Sequence, residues 1–317
     1  MTALAARVRE LDAATAPTHE LEAVHALEAA CAVDDVVFTP AEAIAFMRAV
    51  PARAERRRWV AEDDGVVVGA AVLFRAPGSA SAWVDVLVAH AARRRGLGRA
   101  LLAGARAAAP GCVLIGEHAT SAGSAFARAV GAVADVRRVR SVLELPTAAL
   151  PRAEPPEGYR LRSWVGAAPD DLVQSYARAR NAIADAPLAD GEEPETWDVA
   201  RVRDLEATLA RRSRQSRVTV AVEAAGDVVA FTELRVSPPP TRYAATDDTA
   251  VVAAHRRRGL GRAVKAESLA RLRADRPDIG AVATTNAEDN VAMLALNAQL
   301  GFRPSSLWTV SVLRPDR

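Results

Sequence analysis

Arg93-Arg94-Arg95-Gly96-Leu97-Gly98-Arg99-Ala100 recurs without a change as Arg256-Arg257-Arg258-Gly259-Leu260-Gly261-Arg262-Ala263. In a chain rich in alanine, arginine and glycine an octapeptide can recur by chance, so the flanks decide. An apolar, β-branched run precedes each copy: Val84 to Val88 in the first, Thr249 to Val252 in the second. A helical pattern follows each, through Leu101, Leu102 and Ala105, and through Val264, Leu269 and Leu272. Upstream lie hairpin-like strand pairs around a Gly turn, Arg58 to Glu62 with Val66 to Phe74, and Val218 to Glu223 with Val228 to Val236. Downstream lie a second helix ending in Gly (Ser124 to Gly131; Val291 to Gly301) and a closing strand (Val139 to Leu145; Trp308 to Leu313). The chain therefore reads as a duplication.

Pro146, Pro151, Pro155 and Pro156 exclude helix and central strand between the copies. The boundaries expected are an N-terminal copy at 1–146, a linker at 147–157 and a C-terminal copy at 158–317. Each copy should be a mixed α/β domain, giving two tandem α/β domains related by an internal repeat.

Composition narrows the function classes. At 317 residues the chain is long enough for two cores, and 50% hydrophobic content argues against extensive disorder. Forty-one bases against 39 acids leave a net charge of +2, scattered along helical patterns, and aromatics are only 4%. A nucleic-acid partner is not expected from this pattern. Lys265 is the only lysine, a bias that says nothing by itself about mechanism. Cys31 and Cys112 have no partner at metal-ligand spacing, so buried free thiols and no metal are expected. Residues 1–17 carry Arg7, Arg9, Glu10 and Asp12 with no apolar core of signal length, and no stretch is long enough to span a bilayer. The expectation is a cytoplasmic monomer containing an internal pseudo-dimer, with a homodimer as the alternative.

A strand, then Arg-x-x-Gly-x-Gly, then a helix is suited to phosphate. The helix N-terminus presents unpaired N–H groups and about half a positive charge. Glycines allow close backbone approach, and the adjoining arginines add forked donors. An ordinary strand-to-helix turn explains one such hexapeptide; two in the same setting favour the anion site.

With these residues in view, each half resembles the GNAT superfamily of N-acetyltransferases, whose cofactor loop reads Gln/Arg-x-x-Gly-x-Gly/Ala. The resemblance is stronger in the second half and similar to actinobacterial tandem members, among them the mycothiol synthases. It implies acetyl-CoA as cofactor, with the pyrophosphate on Arg256, Arg257, Arg258, Gly259, Leu260, Gly261 and Arg262. In the first copy the corresponding residues include Arg93, Gly96 and Gly98. It implies an acetyl carbonyl held by backbone N–H near Val251 and Val252, where two parallel strands splay apart. Asn286 and Asn290 read like the second cofactor motif, with Asn290 steadying the pantetheine arm; Asn290 suits a helix N-cap equally.

Transfer of acetyl to an amine needs a base. Glu233 interrupts the apolar run Val228 to Leu234 and is the first candidate, unless alternation turns it to solvent; Asp247 and Asp248 are rivals on the next strand. In the first copy Val72 stands at the position of Glu233, while Asp85 matches Asp248, so the C-terminal copy is expected to be the catalytic one. The tyrosine that the family often uses as general acid is Ala127 in the first copy and Asn297 in the second, leaving water or a residue such as Tyr243. Thr120 and Gly123 replace Asn290 and Met293. Asp185 and Trp197 are candidate contacts for a small-molecule amine acceptor, whereas Glu192 and Glu193 read as an exposed loop. The activity expected is acetyl-CoA-dependent N-acetylation, with a non-catalytic acyl-CoA sensor and Fem-type aminoacyl transfer as alternatives.

Overall fold

The computed structural model describes residues 7–33, 38–152, 154–185 and 189–315. The first copy runs β1 (Arg7–Glu10), α1 (Thr18–Cys31), α2 (Pro40–Arg48), β2 (Glu55–Asp63), β3 (Val66–Arg75), β4 (Ser81–Val88), α3 (Leu97–Ala108), β5 (Val113–His118), α4 (Ser121–Ala129) and β6 (Val133–Glu144). The second repeats the order with β7 (Tyr159–Val165), α5 (Asp170–Arg180), α6 (Val199–Arg211), β8 (Gln215–Glu223), β9 (Val228–Val236), β10 (Tyr243–Val251), α7 (Leu260–Asp275), β11 (Ala281–Ala287), α8 (Val291–Gln299) and β12 (Arg303–Leu313). The expected class of two mixed-sheet α/β domains is the one observed. Among the described residues, no helix is long and apolar enough to cross a membrane.

The domain boundaries differ from those expected. The chain forms two compact units: one holds the residues up to 136 with 189–193 and those from 308, and the other holds 137–188 and 194–307. In the N-terminal unit the strand order is β1-β2-β3-β4-β5-β12, and in the C-terminal unit β6-β11-β10-β9-β8-β7. Each sheet is thus completed by the closing strand that follows the other copy. Side-chain pattern explains the choice. Leu143 and Leu145 from β6 and its end join the C-terminal core beside Val282, whereas Val310 and Val312 of β12 pack with Ile115 and Ala189. Residues 189–193, whose Glu192 and Glu193 read in the sequence as an exposed loop, belong to the N-terminal unit, where Asp190 accepts from the guanidinium of Arg314.

In the C-terminal unit the sheet has two distinct faces. Helices α5 and α6 cover one, with Leu172, Tyr176 and Val202 against Val218, Val220 and Phe231. Helix α7 covers the other, with Ala266, Leu269 and Leu272 against Leu234, Val236, Ala244 and Val282. Parallel β10 and β11 pair only from Tyr243↔Ala281 to Ala245↔Ala283, although both strands continue. A bulge in β10 between Thr246 and Thr249 marks where they part. The N-terminal unit lacks this bulge, since β4 pairs with β3 in unbroken register through Val72↔Asp85. Its β4 and β5 also stay close beyond their last pair. A Cβ on Gly116 would sit 2.7 Å from the Val84 carbonyl oxygen, where β11 carries Thr284.

One core residue opposes folding. Lys265 lies on α7, 2% exposed, its Nζ without a hydrogen-bond partner and 5.4 Å from the Phe302 ring centroid. Burial pushes its amine down to about 7 from 10.5. The unfolded chain therefore holds more protons between these values, so stability rises with pH across that window and the full cost, on the order of 4 kcal/mol, falls below it. Lys265→Met should raise Tm by roughly 5 °C or more at pH 6 and by much less near pH 10, measured by calorimetry. Equal gains at both pH values would mean that the lysine is not buried as an amine.

Candidate active site

The two octapeptides adopt the same backbone. After one 3-10 turn, His90–Ala92 or Ala253–His255, the second arginine is left-handed, Arg94 at φ 65 and Arg257 at φ 60. Gly96 at φ 84 and Gly259 at φ 81 follow and open α3 and α7. A left-handed arginine is strained by about 1–2 kcal/mol, and its retention in both copies fits a loop shaped for close approach. No side chain caps either helix, so the first-turn N–H groups face outward. A Cβ on Gly259 would meet nothing within 4 Å.

The loop arginines divide into fixed and open ones. Arg256 donates from Nε to the Val251 carbonyl at 3.0 Å and from its other end to Asp185. Arg258 donates to the Tyr159 hydroxyl at 2.9 Å. Arg257 and Arg262 are exposed and make no ion pair among the described residues. Val252 donates its N–H to Val229 at 2.9 Å. Alternation along the strand therefore turns the Val251 N–H toward the side that β11 has left. An uncapped helix, an open glycine, two unengaged arginines and an outward strand amide fit the pyrophosphate and acyl end of acetyl-CoA.

On the α5 face, five charged side chains converge. Arg180 of α5 is 1% exposed; it donates to Glu233 of β9 at 2.7 Å, to Asp248 of the β10 bulge at 2.6 Å, and to the Tyr176 hydroxyl at 3.0 Å. Ser216 of β8 donates to the other Glu233 oxygen at 2.7 Å. Arg235 of β9 pairs with Asp247 and lies 3.8 Å from Glu233. The indole of Trp197 covers Arg180, its centroid 3.6 Å from the guanidinium carbon. Asn181 fixes that indole's backbone, accepting from the Trp197 N–H at 2.8 Å and donating to the Trp197 carbonyl at 3.1 Å.

These contacts separate the three carboxylates. Burial would raise Glu233, but Arg180, Arg235 and Ser216 outweigh it and hold the carboxyl below its ordinary value. Burial raises Asp247 to about 7 against the pull of Arg235, with Asp248 and Glu233 adding repulsion. Burial and Glu233 likewise raise Asp248 against the pull of Arg180. Asp247 and Asp248 keep 28% and 26% of their side-chain surface open, while Glu233 keeps 1%. Glu233 does not turn to solvent.

On the α7 face, Asn290 is the N-cap of α8 and accepts from the Met293 N–H at 3.2 Å. Thr120 caps α4 in the same way, accepting from Gly123 at 3.1 Å. Asn286 of β11 accepts from Asn297 of α8 at 2.7 Å. Tyr243 is not placed to act as the acid. Its hydroxyl accepts from Arg140 at 2.7 Å, and it begins β10 eight residues before Val251, roughly 25 Å along an extended strand. Asp185 meets the cofactor-loop arginine and not the carboxylate cluster, whereas Trp197 does stand over that cluster. Sequence reading missed Tyr176, Arg180, Ser216 and Arg235. One signal was present: Tyr176 and Arg180 are one helical turn apart and so share a face.

Two family models match the chain, the acetyltransferase (GNAT) domain over residues 54–131 and the acetyltransferase (GNAT) family over 181–302. A mycothiol acetyltransferase of Salinispora tropica is 32% identical over 248 residues, covering 75% of each chain. That of Thermomonospora curvata is 31% identical over 281 residues, covering 87% of each. Among solved structures, a tandem GNAT protein from the clavulanic acid biosynthesis pathway superposes with a TM-score of 0.83 at 27% identity, over 98% of this chain and 99% of that one. A GCN5-related N-acetyltransferase from Sphaerobacter thermophilus gives 0.71 at 15% identity, over 98% and 97%. The chain belongs to the GNAT acetyltransferases, as a tandem member of actinobacterial type. It is an acetyltransferase, from a family that typically takes acetyl-CoA as donor.

A Cβ on Gly261 would lie 3.5 Å from Leu296 and 3.6 Å from Val251, ordinary contact distances. If the loop holds the pyrophosphate, Gly261→Asp should therefore keep its fold and Tm while abolishing acetyl-CoA binding to the C-terminal unit by titration calorimetry, because it sets a carboxylate beside the first-turn N–H groups of α7. Unchanged binding with an intact fold would remove the loop from the cofactor site.

Proposed function

We propose that the C-terminal unit acetylates a primary amine of a small molecule, with acetyl-CoA as donor and direct attack of the amine on the thioester. The observation that carries this reading is the β10 bulge. It sets Asp247 and Asp248 opposite Glu233 on one face of the sheet, beside the point where β10 and β11 stop pairing. The N-terminal unit has the loop without the bulge and has Val72 in place of Glu233. That unit is read as a structural or regulatory partner.

In this reading Asp247 and Asp248 act together as the base. They crowd Glu233 and each other, so both carboxyls are held above their ordinary value, Asp247 at about 7, and they titrate as a coupled pair. Glu233 anchors Arg180 and stays ionised beneath them. The open edges of the cluster are the two aspartates, with the arginines under them, which suits a cationic acceptor. The Val251 N–H would hold the developing oxyanion. The relatives' names support mycothiol-type amines as the first acceptors to try.

The test is acetyl-CoA consumption against a panel of small primary amines. Asp247→Asn and Asp248→Asn should each lower kcat/KM by about two to four orders of magnitude with acetyl-CoA affinity unchanged. The parent's acidic limb, rising through about 7, should flatten in both. Glu233→Gln should act differently, removing one side of a buried pair and costing about 3–5 kcal/mol of stability. If both aspartate variants keep parental rates and pH profiles, the base lies elsewhere.

A further inference from the structure

Lys265 of α7 and Asn297 of α8 each carry a buried polar atom with no hydrogen-bond partner among the described residues. Lys265 Nζ donates to nothing and Asn297 Oδ1 accepts from nothing, although each residue is only 2% exposed. Phe302 adjoins both residues, through its ring to the lysine nitrogen and through its backbone to Asn297. The lysine nitrogen is 5.4 Å from its ring, and the Phe302 N–H bonds the Asn297 carbonyl at 3.0 Å. An unmet buried donor and an unmet buried acceptor are each expensive. The internal repeat sharpens the point. At the two matching positions the N-terminal unit has Leu102, which is buried, and Ala127, an all-apolar pair. The unit that has the bulge and the carboxylates is the one that makes both positions polar.

Lys265 follows Gly261 by one helical turn, so both residues face α8, whose Leu296 packs beside Gly261. Asn297 is the next residue of α8 and stands where many GNAT enzymes place a tyrosine acid. We infer that Lys265, with Asn297 beside it, is the proton donor to the departing sulfur of CoA. The inference rests on the reading of the C-terminal unit as the catalytic one. In the step, the C–S bond of the tetrahedral adduct breaks and its electron pair goes to sulfur. A proton moves from the Lys265 ammonium to that sulfur, leaving a neutral amine and CoA thiol. The proton lost by the acceptor nitrogen goes to the aspartate pair, and solvent returns it to Lys265. In the step, Asn297 Oδ1 serves as acceptor for the ammonium, directly or through a water.

The chemistry suits a buried lysine. Burial alone lowers its amine to about 7. α8 and β11 carry no titratable side chain, and the carboxylates of β9 and β10 lie on the opposite face of the sheet. A thiol of ordinary pKa, about 8.5, is the stronger base once ionised, so transfer from this ammonium runs downhill.

Because Lys265 is the only lysine, isotope-labelled lysine gives one side-chain resonance whose titration reports it directly. Free CoA should shift its titration curve upward by a fraction of a unit relative to acetyl-CoA and leave a tail at higher pH, because only the free thiol can ionise beside it. Both ligands carry the same phosphates, so the difference isolates the sulfur. Lys265→Met, and Lys265→Leu to match Leu102, should lower kcat about 100-fold at unchanged acetyl-CoA affinity and lose the alkaline limb of the kcat profile. A merely structural lysine would leave that limb in place. If both ligands bind and give one lysine midpoint, or if both variants keep parental kcat and the alkaline limb, Lys265 is not the acid. If neither ligand binds the C-terminal unit, the reading beneath it falls instead.

Discussion

The C-terminal unit depends on one guanidinium. Arg180 joins a helix to two strands by holding Glu233 and Asp248 while Trp197 closes over it. Two arginines face three carboxylates, so the cluster cannot be neutral with every acid ionised. The odd charge must fall somewhere, and geometry decides where. Glu233 has Arg180, Ser216 and Arg235 around it and remains the anion. The proton that balances the cluster near neutrality therefore belongs to the aspartates of the bulge. A carboxyl poised near pH 7 at Asp247 thus follows from counting charges around a buried arginine, without any single unusual residue.

The duplication supplies an internal control. Eight identical residues fold into the same strained loop twice, down to the left-handed arginine, so the loop's geometry is a property of that segment and not of its surroundings. Differences between the units then single out what a loop alone cannot do. One extra residue in β10, absent from β4, brings Asp247 and Asp248 together opposite Glu233. Gly116 in place of Thr284 lets the other pair of strands close up. Phe126 packs 3.0 Å from where a Cβ on Gly98 would sit, whereas the equivalent glycine in the C-terminal unit has room.

Much of this was legible in the sequence because it is local. The octapeptide, its flanking strand and helix, and the Gly turns are each set by φ preference and apolar period within a few residues. The carboxylates were legible too, since an acid inside an apolar run demands an explanation. What sets their chemistry was not. Arg180 lies in a helix where arginines read as a solvated face, and only burial distinguishes it from Arg178, which pairs with Asp227 at the surface. The ownership of β6 and β12 was equally hidden. A strand's sequence specifies its apolar face but not which of two similar sheets receives it, and two copies of one fold offer each closing strand two acceptable edges. Asn290 shows a third kind of limit, where one residue type serves a cofactor motif and a helix cap, and Thr120 reveals that the cap is the shared requirement.

Lys265 is where local rules are broken most openly, and the way they are broken is informative. A leucine would fill the site, as Leu102 does in the other copy, and would remove a desolvation cost that grows as pH falls toward 7. Selection for stability alone would favour that leucine. A residue that weakens the fold near neutrality and has no hydrogen-bond partner among the described residues calls for a role outside the fold, and the proposed proton donation is one. The pH dependences then oppose each other in an instructive way. In the proposed reaction Asp247 must lose a proton as pH rises through about 7, while the lysine must still hold one. Only a narrow band around neutrality satisfies both, so a bell centred there is the signature of base and acid on opposite faces of one parted pair of strands.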